Sequence, residues 1–361
     1  MQNQIRFSKT LLSHFATAVI LLGFSIGSAQ NLITRDHCPN RDNDAALGEL
    51  RNQGNIGWCY ANVAADLLTF RYKKELKGEK ASAGYVAITF NEYTKFKANE
   101  DAGLVSPAVF FSQHHGICPQ SFQERALENS PFPEIRDQIN ALVELKTEYN
   151  KIRKQNGNVK DLEILKKYRS SGSYLNQISD EELTSILNRS TVRSFPRKLT
   201  DRLCQNYKVK VKPDLRIRFQ LGFIEGWKNF LPNLFNKIKI EKPSLIGQAD
   251  LVQEINDEIT NYNITGVSYR TRIFYSPGSE AFEKSGIHAS SIVGQRWNER
   301  RQRCEFKLRN SWGRTCAPYT NPLLTQDTGQ CDPVTGYIYV PESLLREGIS
   351  DIAYFRRAKQ K

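Results

Sequence analysis

Along residues 59–72 apolar positions recur at helical spacing. Ala61, Ala64, Ala65, Leu68 and Tyr72 repeat with that period, so the pattern predicts a buried helix starting at or just before Cys59. Further on, Ser106-Pro107 precedes Ala-Val-Phe-Phe, which reads as an N-cap followed by proline at the first helical position. A Gly116-Ile-Cys-Pro119 turn comes next, then a helical run over 121–127. Residues 131–200 differ in character. Three helical patterns are visible there, at 134–154, at 159–169 and from 179 onward, all charged and only weakly apolar. The last opens with Ser179-Asp-Glu-Glu182, a capping-box arrangement. Residues 208–219 then alternate Val209, Val211, Leu215 and Ile217 with basic side chains. That is a half-exposed strand interrupted by Pro213, as edge strands tolerate.

From about residue 244 the period changes. An amphipathic helix is predicted over 251–262, followed by strand-like runs at 267–275, 289–293, 304–309, 336–340 and 352–355, separated by turn residues. Helices gathered in the first part and strands in the last predict an α+β protein with two lobes. The expected division is a helical lobe at 30–130, a charged insertion at 131–241 and a β-rich lobe at 242–361.

Residues 1–29 stand outside this pattern. Arg6 and Lys9 form a positive start, residues 15–26 a short apolar core, and Gly27-Ser-Ala29 a run of small residues. The core falls well short of the roughly 20 residues a membrane span needs, which points to a cleavable signal peptide rather than an anchor. The expected product is secreted or periplasmic, with no stable membrane insertion. The seven cysteines fit that route. Setting Cys59 apart as a reactive thiol leaves Cys38, Cys118, Cys204, Cys304, Cys316 and Cys331, an even number suited to three disulfides. Cys316 and Cys331 flank a short loop rich in turn residues and are the first expected pair. The chain has neither a C-x-x-C nor an H-x-x-x-H pair, so zinc is not expected, nor any other metal or cofactor. His114-His115-Gly-Ile-Cys118 reads as a loop carrying one bridging cysteine.

The net charge is +13, and residues 191–240 hold twelve Lys and Arg against three Asp and Glu. A run of this kind is a solvated face or an attachment point for an anionic surface or polymer. No nucleic-acid motif accompanies it, and nucleic acid is not an expected partner.

The candidate chemistry lies in two distant segments. Gln53-Gly-Asn-Ile-Gly-Trp-Cys59 places a thiol at a helix start, where the helix dipole favours thiolate, and a glutamine six residues earlier across a glycine-containing turn. The chain beyond the leader has four histidines, His37, His114, His115 and His288. The first three lie in polar contexts read as loops. His288 opens the apolar strand Ala289-Ser-Ser-Ile-Val-Gly294, a rigid place to present an imidazole. Asn310 on a neighbouring strand can orient that imidazole by accepting its second N–H, and Trp312 can cover the bond.

These segments resemble those of the papain-like cysteine peptidases. The likeness rests on Gln53-Gly…Cys59-Tyr-Ala, on Gly286-Ile-His-Ala-Ser-Ser-Ile-Val-Gly294 and on Phe306-Lys-Leu-Arg-Asn-Ser-Trp-Gly313, in that order, and extends to Gly336-Tyr-Ile-Tyr-Val340. It implies the two-lobe papain-like fold with the cleft between the lobes. It also implies Cys59 as nucleophile, His288 as general base and then acid, Asn310 as orienter and Gln53 as oxyanion donor. The implied activity is hydrolysis of peptide bonds in a protein or peptide substrate through an acyl-enzyme. Two alternatives stay open: a cysteine hydrolase or transpeptidase acting on cell-envelope cross-links, and a non-catalytic peptide-binding relative. Ile56 and Gly57 stand where the family commonly has Cys and Ser, so one usual disulfide is absent, and Tyr60 replaces a common Trp. Gly116 is the nearest candidate for the glycine that holds substrate backbone. Only 29 residues separate the expected cleavage point from Cys59, too few for a long inhibitory pro-segment, which makes the insertion the candidate for any latency device.

Overall fold

A computed structural model of the chain describes residues 32–54, 56–94, 103–122, 135–170, 174–211, 214–219, 247–326 and 329–355. The expected leader, residues 123–127 of the expected helical run, and residues 212–213 and 220–240 of the basic stretch lie outside the described residues. Helix α1 spans Cys59–Arg71 and is buried along nearly its whole length. Helices α2 (Ala83–Tyr93) and α3 (Val105–His115) pack against it to make the helical lobe. Ser82 caps α2 through its side chain, which accepts from the Tyr85 N–H. The expected cap at Ser106 is not there. Leu104 holds the N-cap position of α3, Ser106 and Pro107 lie inside its first turn, and His114 and His115 close the helix rather than sitting in a loop. Gly116 ends it with φ of +92°, a conformation open to glycine and strained for other residues.

Seven strands among the described residues build one antiparallel sheet, five of them from 242–361, one from residues 41–42 and one from residues 215–219. Its strands are β1 (Arg41–Asp42), β2 (Leu215–Phe219), β3 (Thr265–Arg270), β4 (Ile287–Asn298), β5 (Arg303–Arg309), β6 (Tyr337–Pro341) and β7 (Ile349–Phe355). They lie in the order β2-β7-β3-β4-β5-β6, with β1 added to β4. The α+β two-lobe architecture is therefore present. The run expected as one strand over 267–275 is split: β3 ends at Arg270 and a 3₁₀ turn, Thr271–Phe274, carries the chain off the sheet. Of the basic run expected as a strand over 208–219, Leu215–Phe219 forms β2 on the sheet edge and Val209 makes an isolated bridge to Ile117, while Pro213 lies outside the described residues.

Alternation along the strands assigns each face. Ala289, Val293, Ala353 and Phe355 face α1 and join its core, while Val267, Tyr269, Ile292, Leu308 and Ile352 join a second core. Gly266 sits on β3 where α1 packs against it. A β-carbon there would come within 2.7 Å of Val63 and 3.0 Å of Leu67, so the absent side chain lets α1 lie against β3.

The segment between the lobes has a core of its own. The helices Ile135–Lys154, Glu163–Ser170, Asp180–Asn188 and Phe195–Cys204 bury Leu145, Leu162, Tyr168, Leu183, Leu187, Phe195 and Leu199. Ser179 caps the third of them on the Glu182 N–H. The fourth was not legible as a separate helix. It docks on the outer side of α2, where Arg197 pairs with Glu92 and Asp201 accepts the Tyr85 hydroxyl at 2.5 Å. Three disulfides complete the frame: Cys38–Cys304, Cys118–Cys204 and the expected Cys316–Cys331. Cys59 is the free cysteine. No helix among the described residues is long and apolar enough to cross a membrane.

Candidate active site

Cys59 is the first residue of α1, so its sulfur sits at the positive end of the helix dipole. Burial pushes its thiol above the ordinary range, opposed by backbone hydrogen bonds from Ala289, Tyr60 and Cys59 itself. The Ala289 contact is informative. It places the sulfur against the strand residue that follows His288.

His288 is the second residue of β4 and is buried. Its Nε2 lies 2.8 Å from Asn310 Oδ1. The Asn310 amide is itself fixed, because its Nδ2 donates to the Tyr319 hydroxyl at 2.8 Å. With the amide nitrogen committed to Tyr319, Oδ1 faces the imidazole and accepts. Nε2 must then carry the proton, which leaves the lone pair on Nδ1. Trp312 lies 4.6 Å from the imidazole centroid, Phe274 meets Trp312 edge-on, and Tyr319 stacks on Trp312 at 6.1 Å. Burial lowers the His288 pKa to about 4, with the Asn310 hydrogen bond acting in the opposite direction.

Gln53 is held in the loop before α1. Its N–H donates to the Ser311 carbonyl at 2.9 Å, and its Oε1 accepts from the Ser311 hydroxyl at 2.5 Å. The carbonyl end of the side chain is therefore used, and the NH₂ end is left to act as donor. One residue earlier, Asn52 bridges to Trp312. The tripeptide Asn310-Ser311-Trp312 thus touches the imidazole and the Gln53 loop together and supplies the covering ring.

Tyr319 and Ser311 escaped the sequence reading. Tyr319 lies in the Pro- and Thr-rich loop clasped by Cys316–Cys331, where no periodicity marks it. Burial pushes its hydroxyl up to about 12, so it stays protonated. Gly116 lies against the chain that returns at Lys208 and Val209. A β-carbon there would meet Lys208 at 2.8 Å and the Val209 carbonyl at 3.1 Å, so the position has no room for a side chain. The described cations of the basic stretch are largely engaged: Arg197 with Glu92, Arg202 with Glu182, Lys208 with Asp201, and Arg193 with the Thr94 carbonyl. A cavity of about 240 Å³ lies behind the Gln53 loop, lined by Arg51, Asn52, Gln53, Trp58 and Lys80 among others, and includes neither Cys59 nor His288. No group of three or more His, Cys, Asp and Glu side chains among the described residues is placed to hold a metal ion.

Comparison with known protein families and with curated protein sequences returns no match. Among solved structures, similar ones include the Amb a 11 cysteine protease of ragweed pollen in its proform, at 14% identity and TM-score 0.44, covering 91% of this chain and 71% of that one. Xylellain, a cysteine protease from Xylella fastidiosa, is 12% identical with TM-score 0.44, over 89% of this chain and 87% of that one. Digestive procathepsin L 3 of the Tenebrio molitor larval midgut is 11% identical with TM-score 0.42, over 91% and 72%. At these values the functional reading rests on the site itself.

Proposed function

We propose that this chain is an exported cysteine endopeptidase. The observation that carries the reading is the buried His288–Asn310 hydrogen bond, on a strand whose next residue reaches the Cys59 sulfur. Burial favours the neutral forms of both Cys59 and His288 when each is taken alone. The reactive form arises by proton transfer from Sγ to Nδ1. The helix N-terminus and backbone N–H groups support the thiolate, and Asn310 supports the imidazolium. The thiolate attacks the scissile carbonyl, and the Cys59 N–H and Gln53 NH₂ receive the oxyanion. The imidazolium then protonates the leaving amine. In the second half-reaction His288 draws a proton from water, which hydrolyses the thioester and restores the thiol. Three disulfides agree with an oxidising destination.

The test is alkylation of the purified chain by an epoxide that targets activated thiolates, beside a His288→Ala control, together with turnover of an unfolded protein. Stoichiometric labelling at Cys59 that the control loses, with cleavage of the protein substrate, is the expected result. Labelling without cleavage, but with release of peptide from purified envelope polymer, would replace the endopeptidase reading. Failure to label at all would reject the activated thiol.

A further inference from the structure

One buried carboxylate outside the reacting groups touches every segment that carries one of them. Asp66 is seven residues after Cys59 on α1, which puts it two turns away on the same face, about 10 Å along the axis. Its Oδ1 accepts from Arg51 Nε at 2.7 Å, and Arg51 is two residues before Gln53. Its Oδ2 accepts from Arg309 Nε at 3.0 Å and from the Ser291 hydroxyl at 3.4 Å. Arg309 immediately precedes Asn310, and Ser291 is three residues after His288. All four side chains are buried.

The strand pleat makes this arrangement specific. Adjacent residues of a strand point to opposite faces. Arg309 therefore points back to the helical lobe, while Asn310 reaches His288 on the other side. The remaining Arg309 N–H groups go to the carbonyls of Leu47, Gly48 and Glu49 and to the Tyr337 hydroxyl, and those of Arg51 to Gln120 and Thr69. Two buried guanidiniums thus share one carboxylate. Geometric displacements of the order of 1 Å at a reacting centre are enough to slow it strongly.

We propose that Asp66 is a positioning residue: its carboxylate ties the nucleophile helix to the His288 strand, the Asn310 strand and the Gln53 loop, and so sets the separation of the four reacting groups. This rests on the cysteine-peptidase reading above. Ser291 and the two arginines transmit the constraint, and Asp66 itself touches no substrate.

The experiment compares wild type with Asp66→Asn for kcat and KM on quenched fluorescent casein, for the pH profile of Cys59 alkylation by iodoacetamide, and for melting temperature. The expected result is a fall in kcat of about 10- to 100-fold with KM within about threefold, and an acid limb of the alkylation profile displaced to higher pH. A lower melting temperature with unchanged kcat and unchanged alkylation profile would show a purely structural residue and overturn the proposal. Should Asp66→Asn fail to fold, Arg51→Lys and Arg309→Lys keep the charge and lose the fork. Each should then lower kcat by about 3- to 10-fold, and unchanged kcat in both would overturn it. If wild type neither labels nor turns over, the peptidase reading fails and this inference falls with it. If wild type is active and Asp66→Asn matches it, only this inference fails.

Discussion

Ser311 grips Gln53 at two points, its carbonyl on the Gln53 N–H at 2.9 Å and its hydroxyl on Oε1 at 2.5 Å. The side-chain bond decides which end of the amide faces outward. Ser311→Ala removes it while leaving the backbone bond in place. The expected outcome is a kcat about 5-fold lower, against about 100-fold for Gln53→Ala, which removes the donor itself. Steady-state kinetics of the two variants and the double variant check this. If the amide orientation is what Ser311 supplies, the double variant should be no worse than Gln53→Ala.

Tyr319 orders the next link. Tyr319→Phe leaves Asn310 Nδ2 buried without its acceptor and frees the amide to turn. The expected cost is about 1–3 kcal/mol of stability, with a fall in kcat that exceeds any change in KM. Denaturant unfolding and steady-state kinetics on the same preparation measure both, and an unaltered kcat would detach Tyr319 from the site.

Cys59 and His288 make a prediction in pH. Burial alone holds the thiol above its ordinary range and the imidazole near 4, so a thiolate at neutral pH requires the partner. In His288→Ala the sulfur keeps its burial and loses its proton acceptor. Alkylation by iodoacetamide at pH 6 should then be about 100-fold slower than in wild type and recover only as pH rises past the ordinary thiol value. Equal rates at pH 6 would separate the two residues chemically.

Asp351 makes a prediction in stability. It is fully buried on β7, and burial raises its carboxyl to about 7, partly offset by hydrogen bonds from Ser268 and Ser350. A folded-state value above the unfolded one means the native chain holds a proton that the unfolded chain releases. Stability from this group is complete below about pH 4 and is lost as pH rises toward and through 7, by up to about 4 kcal/mol. Asp351→Asn should therefore unfold at a higher urea concentration than wild type at pH 8 and at a similar one at pH 4.

Much of this was legible in the sequence, for identifiable reasons. The helix at Cys59 shows because α1 is wrapped in protein, and an apolar period survives only where burial enforces it. The strand carrying His288 shows through its Ile and Val residues, and the strand leading to Asn310 through the alternating Cys304, Phe306 and Leu308, all buried. What was missed was set by tertiary contact. The helix at 195–204 reads as basic because its cations are spent on Glu92, Asp201 and Glu182 rather than on solvent. Tyr319 lies in a loop held by a disulfide, where no period exists to find it. Asp66 sits within an apolar helix, and its partners come from positions 51, 291 and 309, which no local pattern connects. The cap misplaced at Ser106 shows the limit of local rules, because Leu104 takes that position with no side-chain bond at all.

The Cys118–Cys204 bridge encloses most of the segment between the lobes. A single cut anywhere between those two cysteines leaves both fragments covalently joined. A chain nicked there would migrate as one species without reductant and as two with it. Its helical lobe would stay tethered, through this bridge and through Cys38–Cys304, to the strands that carry His288 and Asn310.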